Sequence, residues 1–289
     1  MPSYALVTPA RNEIDNLPRL ALSLAAQRHL PEVWVIVDSG STDETASVAR
    51  ALAEEYPWIE LDGVHASADG PTRANATLRA FESGVETLAG RGDVVVKLDA
   101  DVSFAGDYFE RLMSAFADDP QLGMASGTCY ELEVGAWQQR HVTGDHVWGA
   151  SRAYRRACLD DVWPLEDNLA WDRVDEVKAA LAGWRTATLT DLPFYHHRPE
   201  GAREGSRANS WNANGRSAHY LGYRFQYLVL RSLNHARRDP YALAMISGYV
   251  RAAAGGERSA DRDVKSYIRR EQSLRRLPLR VREARGKGS

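Results

Sequence analysis

The amino-acid sequence predicts an α/β fold with a mostly parallel β-sheet flanked by helices and a C-terminal helical extension. Three observations predict this class: short apolar runs rich in valine, helical spacing between those runs, and a polar turn after each of them. Alternation of strands and helices is typical of a sheet that helices cover on both faces. Ligands of such sheets bind beyond the carboxyl ends of the strands, so we expect a crevice there.

The first hundred residues carry this pattern most clearly. Continuous apolar runs bounded by polar turns predict buried strands at 4–7, 33–37 and 94–98. Apolar residues at helical spacing predict helices at 17–27, 43–55 and 72–89. The polar segments that follow the three strands should therefore surround one crevice.

The pattern changes after residue 105. The spacing of apolar residues predicts helices at 107–117 and 174–182, a strand at 124–133, and a mixture of loop and helix at 140–156. A polar segment then leads into an aromatic, arginine-rich helical tail. We therefore expect a domain over residues 1–205, with halves at 1–103 and 104–205, and a helical extension over 206–289 that ends in a disordered basic tail.

Composition restricts the class of protein. The 289 residues are 44% hydrophobic and 26% charged, which is ordinary for a globular protein with a sizeable core. No apolar run is long enough to cross a bilayer, and no basic region precedes the first apolar stretch as in a secretory signal. Cys129 and Cys158 are too few for a disulfide framework or a zinc site. We expect a cytoplasmic protein with buried thiols and no nucleic-acid partner.

The net charge of −3 hides an asymmetry between the tail and the rest of the chain. Residues 255–289 contain eleven Lys and Arg against five Asp and Glu, a net +6, so residues 1–254 carry −9. A solvated helical face explains most such runs. The other interpretation is attraction to an anionic polymer or to lipid headgroups, which predicts peripheral contact with the inner face of a membrane.

Two acidic residues follow the third predicted strand. Asp99 and Asp101 flank Ala100, and alternation along an extended chain turns both carboxylates to the same side. Such oxygen ligands can share a hard cation, Mg²⁺ or Mn²⁺, and a cation beside a diphosphate offsets the charge that grows on the leaving group. The structural alternative is a polar turn that caps the next helix and binds no cation.

The other two strand ends carry polar motifs as well. The first strand is followed by T-P-A-R-N-E, residues 8–13, and the second by D-S-G-S-T-D, residues 38–43. An acidic side chain at a strand end can accept a hydrogen bond from a nucleobase, and nearby hydroxyl and amide groups can hold a ribose. Turn chemistry alone could also explain residues 38–42.

With these motifs the chain resembles the family-2 glycosyltransferases, which have the Rossmann-type A-type glycosyltransferase fold. T-P-A-R-N-E, V-D-S-G-S-T-D-E-T and L-D-A-D-V match the family's motifs in the correct order, and the resemblance spans residues 4 to about 200. It implies that Asp101 is the principal metal ligand, with Asp99 on the ribose or the metal. It also implies a nucleotide-sugar-binding half at 1–103 and an acceptor half at 104–205. The nucleotide-sugar site would include Pro9, Ala10, Asn12, Glu13, Asp38, Arg73, Asp99 and Ala100.

The resemblance also implies a catalytic base near the start of a helix that ends in glycine. Counting back eleven residues from Gly183 leads to Asp172. The chain departs from the family pattern because Trp171 stands where Glu is expected, which leaves Asp175 and Glu176 as rival bases. Acidic residues in the first turn of a helix are also favoured by the helix dipole alone. A single base opposite the leaving group would invert the configuration at the anomeric carbon.

Two further features lie downstream of the acidic motif. Members of the family often use a histidine after the base helix as a metal ligand, which points to His197, with His196 as the alternative. Alternation along a strand allows only one of the two to face the metal. Trp148 and Gly149, with the basic cluster at 152–156, fall where the family builds its acceptor side. Trp148 could stack on a sugar, although core packing explains a tryptophan equally well.

The sequence therefore predicts a metal-dependent inverting glycosyltransferase that uses a UDP-sugar, or a GDP-sugar, and a glycan, lipid-linked or small-molecule hydroxyl. The absence of G-x-G-x-x-G after the first strand argues against a dinucleotide-dependent dehydrogenase. A sugar nucleotidyltransferase would need a glycine-rich phosphate loop at residues 8–13. An inactive member that binds nucleotide-sugars stays open because of Trp171.

Overall fold

The computed structural model describes residues 1–63, 73–133, 135–140, 146–168, 170–198 and 206–273, with the backbone alone at 73–75 and 133. The chain divides into two compact units. The first comprises residues 1–167 and 179–199, and the second comprises residues 168–178 and 200–289. The expected division at 205 lies near the second of these boundaries, but residues 168–178 belong to the second unit.

A single sheet forms the centre of the first unit and contains nine strands within the described residues. These strands are β1 (Tyr4–Ala10), β2 (Val33–Asp38), β3 (Ile59–Gly63), β4 (Val94–Leu98), β5 (Val102–Phe104), β6 (Leu122–Glu133), β7 (Ala136–Gln139), β8 (Ser151–Arg155) and β9 (Arg185–His196). Their order is β3-β2-β1-β4-β8-β6-β9-β5, and β7 pairs with β6.

The sheet has two halves of different character. Strands β3, β2, β1 and β4 are all parallel, as the alternation of strands and helices predicts. Beyond β4 the pairing is mixed: β8 runs antiparallel to both β4 and β6, while β6 and β9 are parallel. We call these the parallel half and the mixed half.

Helices cover both faces of the sheet. The first unit contains α1 (Asn16–Ala25), α2 (Thr45–Glu55), α3 (Arg73–Thr87), α4 (Tyr108–Asp118), α5 (Arg156–Val162) and the end of α6 (Trp171–Leu181). Leu17, Leu20 and Leu24 recur at helical spacing on α1 and are fully buried against the sheet. Removal of this apolar surface from water is the main driving force for packing the helices on the sheet.

The prediction of mixed loop and helix at 140–156 is wrong for its last part. Residues Ser151–Arg155 form β8, a central strand whose first four residues are buried. Arg152 and Arg155 interrupt the apolar pattern of this strand in the sequence. They can lie in it because backbone carbonyls accept hydrogen bonds from their guanidinium groups. Arg155, for example, donates to the carbonyl oxygens of Leu122 and Phe116 at 3.0 and 2.6 Å. Strands β3, β5 and β7 and helix α5 are additional elements that the sequence pattern does not reveal.

The second unit is helical, as the aromatic and arginine-rich pattern predicts. It contains the start of α6, together with α7 (Arg207–Tyr220), α8 (Phe225–Ala236), a 3-10 helix (Pro240–Leu243), α9 (Ala244–Ala254) and α10 (Arg262–Glu271). Gly215 of α7 and Gly248 of α9 let the two backbones meet, since a Cβ on either would lie 2.0 Å from a carbonyl oxygen of the other helix. Among the described helices, none has the length and apolar character that a bilayer span requires.

Candidate active site

The carboxyl ends of three parallel strands lie side by side at one edge of the sheet. Ala10 at the end of β1 pairs with Asp38 at the end of β2, and Val7 pairs with Lys97 of β4. Strand β1 is longer than predicted and includes residues 8–10, so the segments that leave the sheet at this edge are 11–13, 39–43 and 99–101. This is the arrangement that the polar motifs after the three strands predict.

The first two of these segments are held together by hydrogen bonds. The amide of Asn12 donates to Ser41 Oγ at 3.0 Å, and Asn12 Oδ1 accepts from the amide of Thr42 at 2.8 Å. Asn12 has a positive φ of 56°, a left-handed conformation that asparagine tolerates better than most residues. Asp38 Oδ1 accepts from both the amide and the hydroxyl of Ser41, at 3.0 and 2.7 Å. The turn is thus formed by its own hydrogen bonds, and no donor within the described part of the chain contacts the other Asp38 oxygen.

A buried lysine holds the first residue of the acidic motif. Lys97 is 3% exposed, and its Nζ lies 2.5 Å from Asp99 Oδ1 and 2.8 Å from the carbonyl oxygen of Gly149. A charged lysine is rarely buried unless it is paired. The ammonium therefore joins the end of β4 to the segment that enters β8.

Asp101 lies between two cationic side chains. Its Oδ1 is 3.2 Å from His196 Nε2, and its Oδ2 is 3.3 Å from Arg198. Arg198 also makes a bidentate contact with Glu13, at 3.2 and 2.8 Å. Burial opposes ionisation of Asp101, but His196 and Arg198 outweigh it and hold its pKa below the usual range. Burial dominates at Glu13, whose pKa is raised.

The second nitrogen of His196 faces another acid. Its Nδ1 lies 3.4 Å from Glu131 Oε1, and Glu131, 1% exposed, also pairs with Arg140 at 3.2 Å. Burial disfavours charge on His196, but hydrogen bonds with Asp101, Cys129 and Glu131 raise its pKa to about 12. The imidazole therefore bridges two carboxylates, one at each ring nitrogen.

His197 faces a different environment. Its Nε2 lies 2.8 Å from Ser103 Oγ, and its ring meets Trp137 edge-on at 5.2 Å. Burial lowers the pKa of His197. Of the two histidines, the one beside Asp101 is therefore His196 rather than the expected His197, because β9 pairs His196 with Val102 and turns its ring towards the acids.

The described residues contain a donor set that fits a divalent cation. One ligand atom from each of Asp99, Asp101 and His196 lies within 4.8 Å of the others. Carboxylates suit both Mg²⁺ and Mn²⁺, and an imidazole is accepted more readily by a transition ion than by Mg²⁺. A second group, Cys129, Glu131 and His196, satisfies the same distance criterion but shares its imidazole with the first.

The segment before β8 contains Trp148 and Gly149, the two residues expected on the acceptor side. The amide of Trp148 donates to Ser126 Oγ at 2.9 Å, while its indole Nε1 is buried without a partner among the described residues. Gly149 presents its carbonyl to Lys97.

The basic cluster at 152–156 is divided between the two ends of β8. Arg152 pairs with Lys97 near the site end of β4, whereas Arg155 pairs with Val94 at the opposite end. Arg155 and Arg156 donate to backbone carbonyls there, so these two are not on the expected acceptor side.

The expected bases lie in the second unit. Asp172 is half-buried at the start of α6, whereas Asp175 and Glu176 are 1% and 2% exposed. Glu176 pairs with Arg173 one turn earlier. Trp171, which stands in place of the family's Glu, is 7% exposed. The side chain of Arg73, expected near the diphosphate, lies outside the described residues.

Three site residues escaped the interpretation of the sequence. Lys97 contacts Asp99, Glu131 contacts His196 and Arg198 contacts Glu13. Of the three, Lys97 is visible in the sequence, as an isolated charge inside an apolar strand. Glu131 meets its partners through the pairing of β6 with β9, where Glu131 lies opposite His196. That register is a long-range property, which no local motif reveals.

Solved structures with this fold are glycosyltransferases. A mannosyltransferase from Pyrobaculum calidifontis, PcManGT, in complex with GDP-Man and Mn²⁺, matches 98% of this chain and 84% of its own, with TM-score 0.59 and 18% identity. S. aureus TarS in complex with UDP-GlcNAc matches 75% of this chain and 65% of its own, with TM-score 0.55 and 19% identity. GalNAc-T7 with UDP, GalNAc and Mn²⁺ matches 98% and 57%, with TM-score 0.63 and 13% identity. The expected A-type glycosyltransferase fold is confirmed.

The family follows from the sequence itself. The family model of glycosyl transferase family 2 matches residues 5–164, and the chain belongs to that family, as its three motifs predict. A β-monoglucosyldiacylglycerol synthase from Synechocystis is 28% identical over 77% of this chain and 49% of its own length. An undecaprenyl-phosphate 4-deoxy-4-formamido-L-arabinose transferase from Pseudomonas fluorescens is 33% identical over 38% of this chain and 31% of its own. The chain thus spans about half or less of these relatives.

Proposed function

We propose that this chain is a metal-dependent inverting glycosyltransferase that moves a sugar from a nucleotide-sugar, UDP-linked in our preferred version, to an acceptor hydroxyl. The observation that carries the proposal is the group of Asp99, Asp101 and His196, whose ligand atoms lie within 4.8 Å of one another. This group lies at the sheet edge where β1 and β2 also deliver their polar loops. A diphosphate bridged by a cation would be bound beside a nucleoside pocket.

The donor side is assigned to the parallel half. Asp38 would accept from the N–H of the nucleobase, since Ser41 occupies only one of its oxygens. Pro9, Ala10 and Asn12 would line the same pocket. Glu13 would also line this pocket, and its bidentate contact with Arg198 supports a second role in positioning that arginine.

A cation would be held by Asp99, Asp101 and His196, whose imidazole would lose its Nε2 proton as the cation binds. When bound, the cation supplies positive charge that stabilises the departing diphosphate. Lys97 fixes the orientation of Asp99, and Glu131 fixes that of His196 through Nδ1. Metal-binding histidines commonly donate their second N–H to a carboxylate in this way. Arg198 adds a further positive charge beside Asp101.

Asp172 is proposed as the base that takes the proton of the acceptor hydroxyl, with Asp175 and Glu176 as rivals. Asp172 is the most accessible of the three, and a base must reach the proton that it removes. Attack by the deprotonated oxygen would form the new bond at the anomeric carbon as the bond to the diphosphate breaks. A single displacement of this kind inverts the configuration.

The names of the relatives support a lipid or lipid-linked acceptor. Two of them act on a diacylglycerol lipid and an undecaprenyl phosphate, according to their names. Structural neighbours were solved with UDP-GlcNAc, and with GDP-Man and Mn²⁺, which supports a nucleotide-sugar donor and a manganese ion. A cytoplasmic enzyme with peripheral membrane contact through the basic segment 255–289 would fit such an acceptor.

The test is donor turnover in the presence of Mn²⁺. We expect the full chain to hydrolyse or transfer sugar from one member of a UDP- and GDP-sugar panel. Asp101→Asn should lower turnover at least about 100-fold, because charge stabilisation at the leaving group is lost. Asp93→Asn is the matched control. Asp93 directly precedes β4, at the end of the strand opposite to Asp101, and accepts hydrogen bonds from Ser3. Turnover that survives Asp101→Asn would refute the proposed site.

The base is tested separately. Asp172→Asn should abolish transfer but leave Mn²⁺-dependent nucleotide binding intact, measured by calorimetry. Asp175→Asn provides the comparison on the same helix. Full turnover in Asp172→Asn, together with loss in Asp175→Asn, would move the base to Asp175. Nucleotide binding without turnover in the unaltered chain would favour an inactive family member instead.

A further inference from the structure

Helix α8 of the second unit turns leucines towards solvent. Leu230 and Leu233 are 55% and 51% exposed, while Leu228 and Ser232 on the opposite face are buried. Positions 226, 230, 233 and 237 follow one helical stripe, which therefore reads Gln-Leu-Leu-Arg. A single exposed leucine is ordinary on a protein surface. Here two exposed leucines lie next to each other on a helix whose other side is already buried, and grouped exposed apolar side chains are typical of interaction surfaces.

The neighbouring 3-10 helix packs against the buried side of α8. Ser232 Oγ donates to the carbonyl oxygen of Ala242 at 2.8 Å, which ties the 3-10 helix to α8. Ala242 is buried there, while Tyr241 and Leu243 on either side of it are 56% and 48% exposed. This contact fixes the buried side of α8, and the leucine stripe lies on the other side. We call Leu230, Leu233 and Arg237 the α8 face.

The segment that carries the α8 face is strongly basic. Residues 206–254 contain seven arginines and one acidic residue, Asp239. That carboxylate accepts from Trp211 Nε1 at 2.9 Å and from the amide of Tyr241 at 3.1 Å, so it is already engaged. Arg237 and Arg238 follow α8 directly and are exposed. The surroundings of the exposed leucines thus complement an anionic partner.

We propose that the α8 face docks onto an anionic lipid surface. Leucines that insert at the boundary of acyl chains and headgroups and arginines against phosphate groups are typical of interfacial helices. A nucleic acid would use the arginines but leave the leucines in water. The residues of the face are not among those proposed for the transfer site, and the proposal does not depend on the proposed reaction. It also differs from the basic segment 255–289, because it combines apolar insertion with charge.

Vesicle flotation of the full chain tests the proposal. We expect the chain to float with phosphatidylcholine vesicles that contain about 30% phosphatidylglycerol, and far less with phosphatidylcholine alone. Leu230→Gln with Leu233→Gln should lower the partition coefficient about tenfold, because both apolar insertions are lost. The matched control is Leu22→Gln with Leu181→Gln, two leucines of the first unit that are 66% and 45% exposed. Circular dichroism and thermal unfolding confirm that each variant is folded.

The charge contribution is measured in a second pair of variants. Arg237→Gln with Arg238→Gln should weaken flotation and reduce its salt dependence, whereas Arg50→Gln on α2 should not. Equal flotation of the leucine variant and the unaltered chain would overturn the proposal, and so would no flotation of the unaltered chain. Light scattering that shows a dimer dissociated by the leucine substitutions, without flotation, would assign the face to a second copy instead.

Discussion

The two halves of the sheet carry their polar groups in different ways. In the parallel half, the buried strands are apolar along most of their length, and polar residues are concentrated in the loops beyond the strand ends. In the mixed half, Glu131, Arg152 and His196 stand within the strands themselves. Asp38, Glu60 and Asp62 also lie on strands of the parallel half, but they are not buried. Lys97 lies on β4, the strand at the border between the halves, and is the buried charge within the strands of the parallel half.

This difference separates two tasks. Partly exposed polar loops at the end of an apolar scaffold can bind a nucleoside by hydrogen bonds without a large desolvation cost, whereas buried charges need partners and therefore form a connected network. We expect substitutions of the buried charges in the mixed half to act on cation binding, as substitutions of Asp99 and Asp101 should. Substitutions in the loops after β1 and β2 should act on nucleotide binding or on stability alone.

The largest expected effect is a difference in Mn²⁺ affinity between variants of two adjacent histidines, His196 and His197. His196→Gln should weaken Mn²⁺ binding at least about 100-fold, because a proposed ligand is lost. His197→Gln should change it little, since His197 contacts Ser103 and Trp137 instead. Calorimetric titration with Mn²⁺ and a nucleoside diphosphate measures both. The reverse order of effects would assign the metal to His197.

A smaller effect is expected at the carboxylate behind His196. Glu131→Gln should weaken Mn²⁺ binding about tenfold, because the imidazole loses the anionic acceptor at Nδ1 that orients it. Glu60→Gln in the parallel half is the matched control. Glu60 also pairs with an arginine, Arg91 at 2.5 Å, but it lies on β3, the edge strand of the sheet, and not among the proposed metal ligands. ¹⁵N chemical shifts of His196 report its tautomer independently of activity. Equal metal affinities in the two variants would contradict the division between the halves.

The loop after β1 should affect stability and the nucleotide, but not the metal. Asn12→Ala should be less stable than Asn12→Gly by about 1 kcal/mol, because alanine is strained at the positive φ of 56°. Both variants lose the bond from Thr42 and should bind a nucleoside diphosphate roughly fivefold more weakly, as expected for one hydrogen bond. Chemical unfolding and calorimetry measure the two effects. Equal stability of the two variants would show that the loop relaxes.

The smallest effect concerns an exposed carboxylate. The hydroxyl of Thr45 donates to Asp43 at 2.5 Å and lowers the pKa of that carboxyl. A lowered pKa in the folded state stabilises the fold above the unfolded value of about 3.8, and this stabilisation is lost as the pH falls through the folded pKa. Asp43→Asn should therefore flatten the fall of the unfolding temperature at acidic pH. Asp119→Asn in the mixed half should act likewise, since Arg185 lowers the pKa of Asp119.

The sequence predicts the parallel half well because each of its main strands is a continuous apolar run with a polar turn behind it. Strand β8 could not be predicted in this way, since Arg152 is fully buried with a backbone carbonyl as partner, and a charge in the sequence indicates a loop or surface. The acids Asp99 and Asp101 and their shared edge with Asp38 followed from local motifs. The choice of His196, and the presence of Glu131 behind it, depends on the pairing of β9 with β5 and β6, which brings distant segments together.

The contact between Lys97 and Gly149 has a consequence for engineering. Lys97 holds the backbone carbonyl of residue 149, so the contact does not depend on which side chain stands there. A Cβ at this position would meet no atom within 4 Å, and its φ is not in the left-handed region. Position 149 can therefore accept different side chains, which would change the surface beside Asp99. Lys97 would still bind both the carbonyl oxygen of residue 149 and the Asp99 carboxylate.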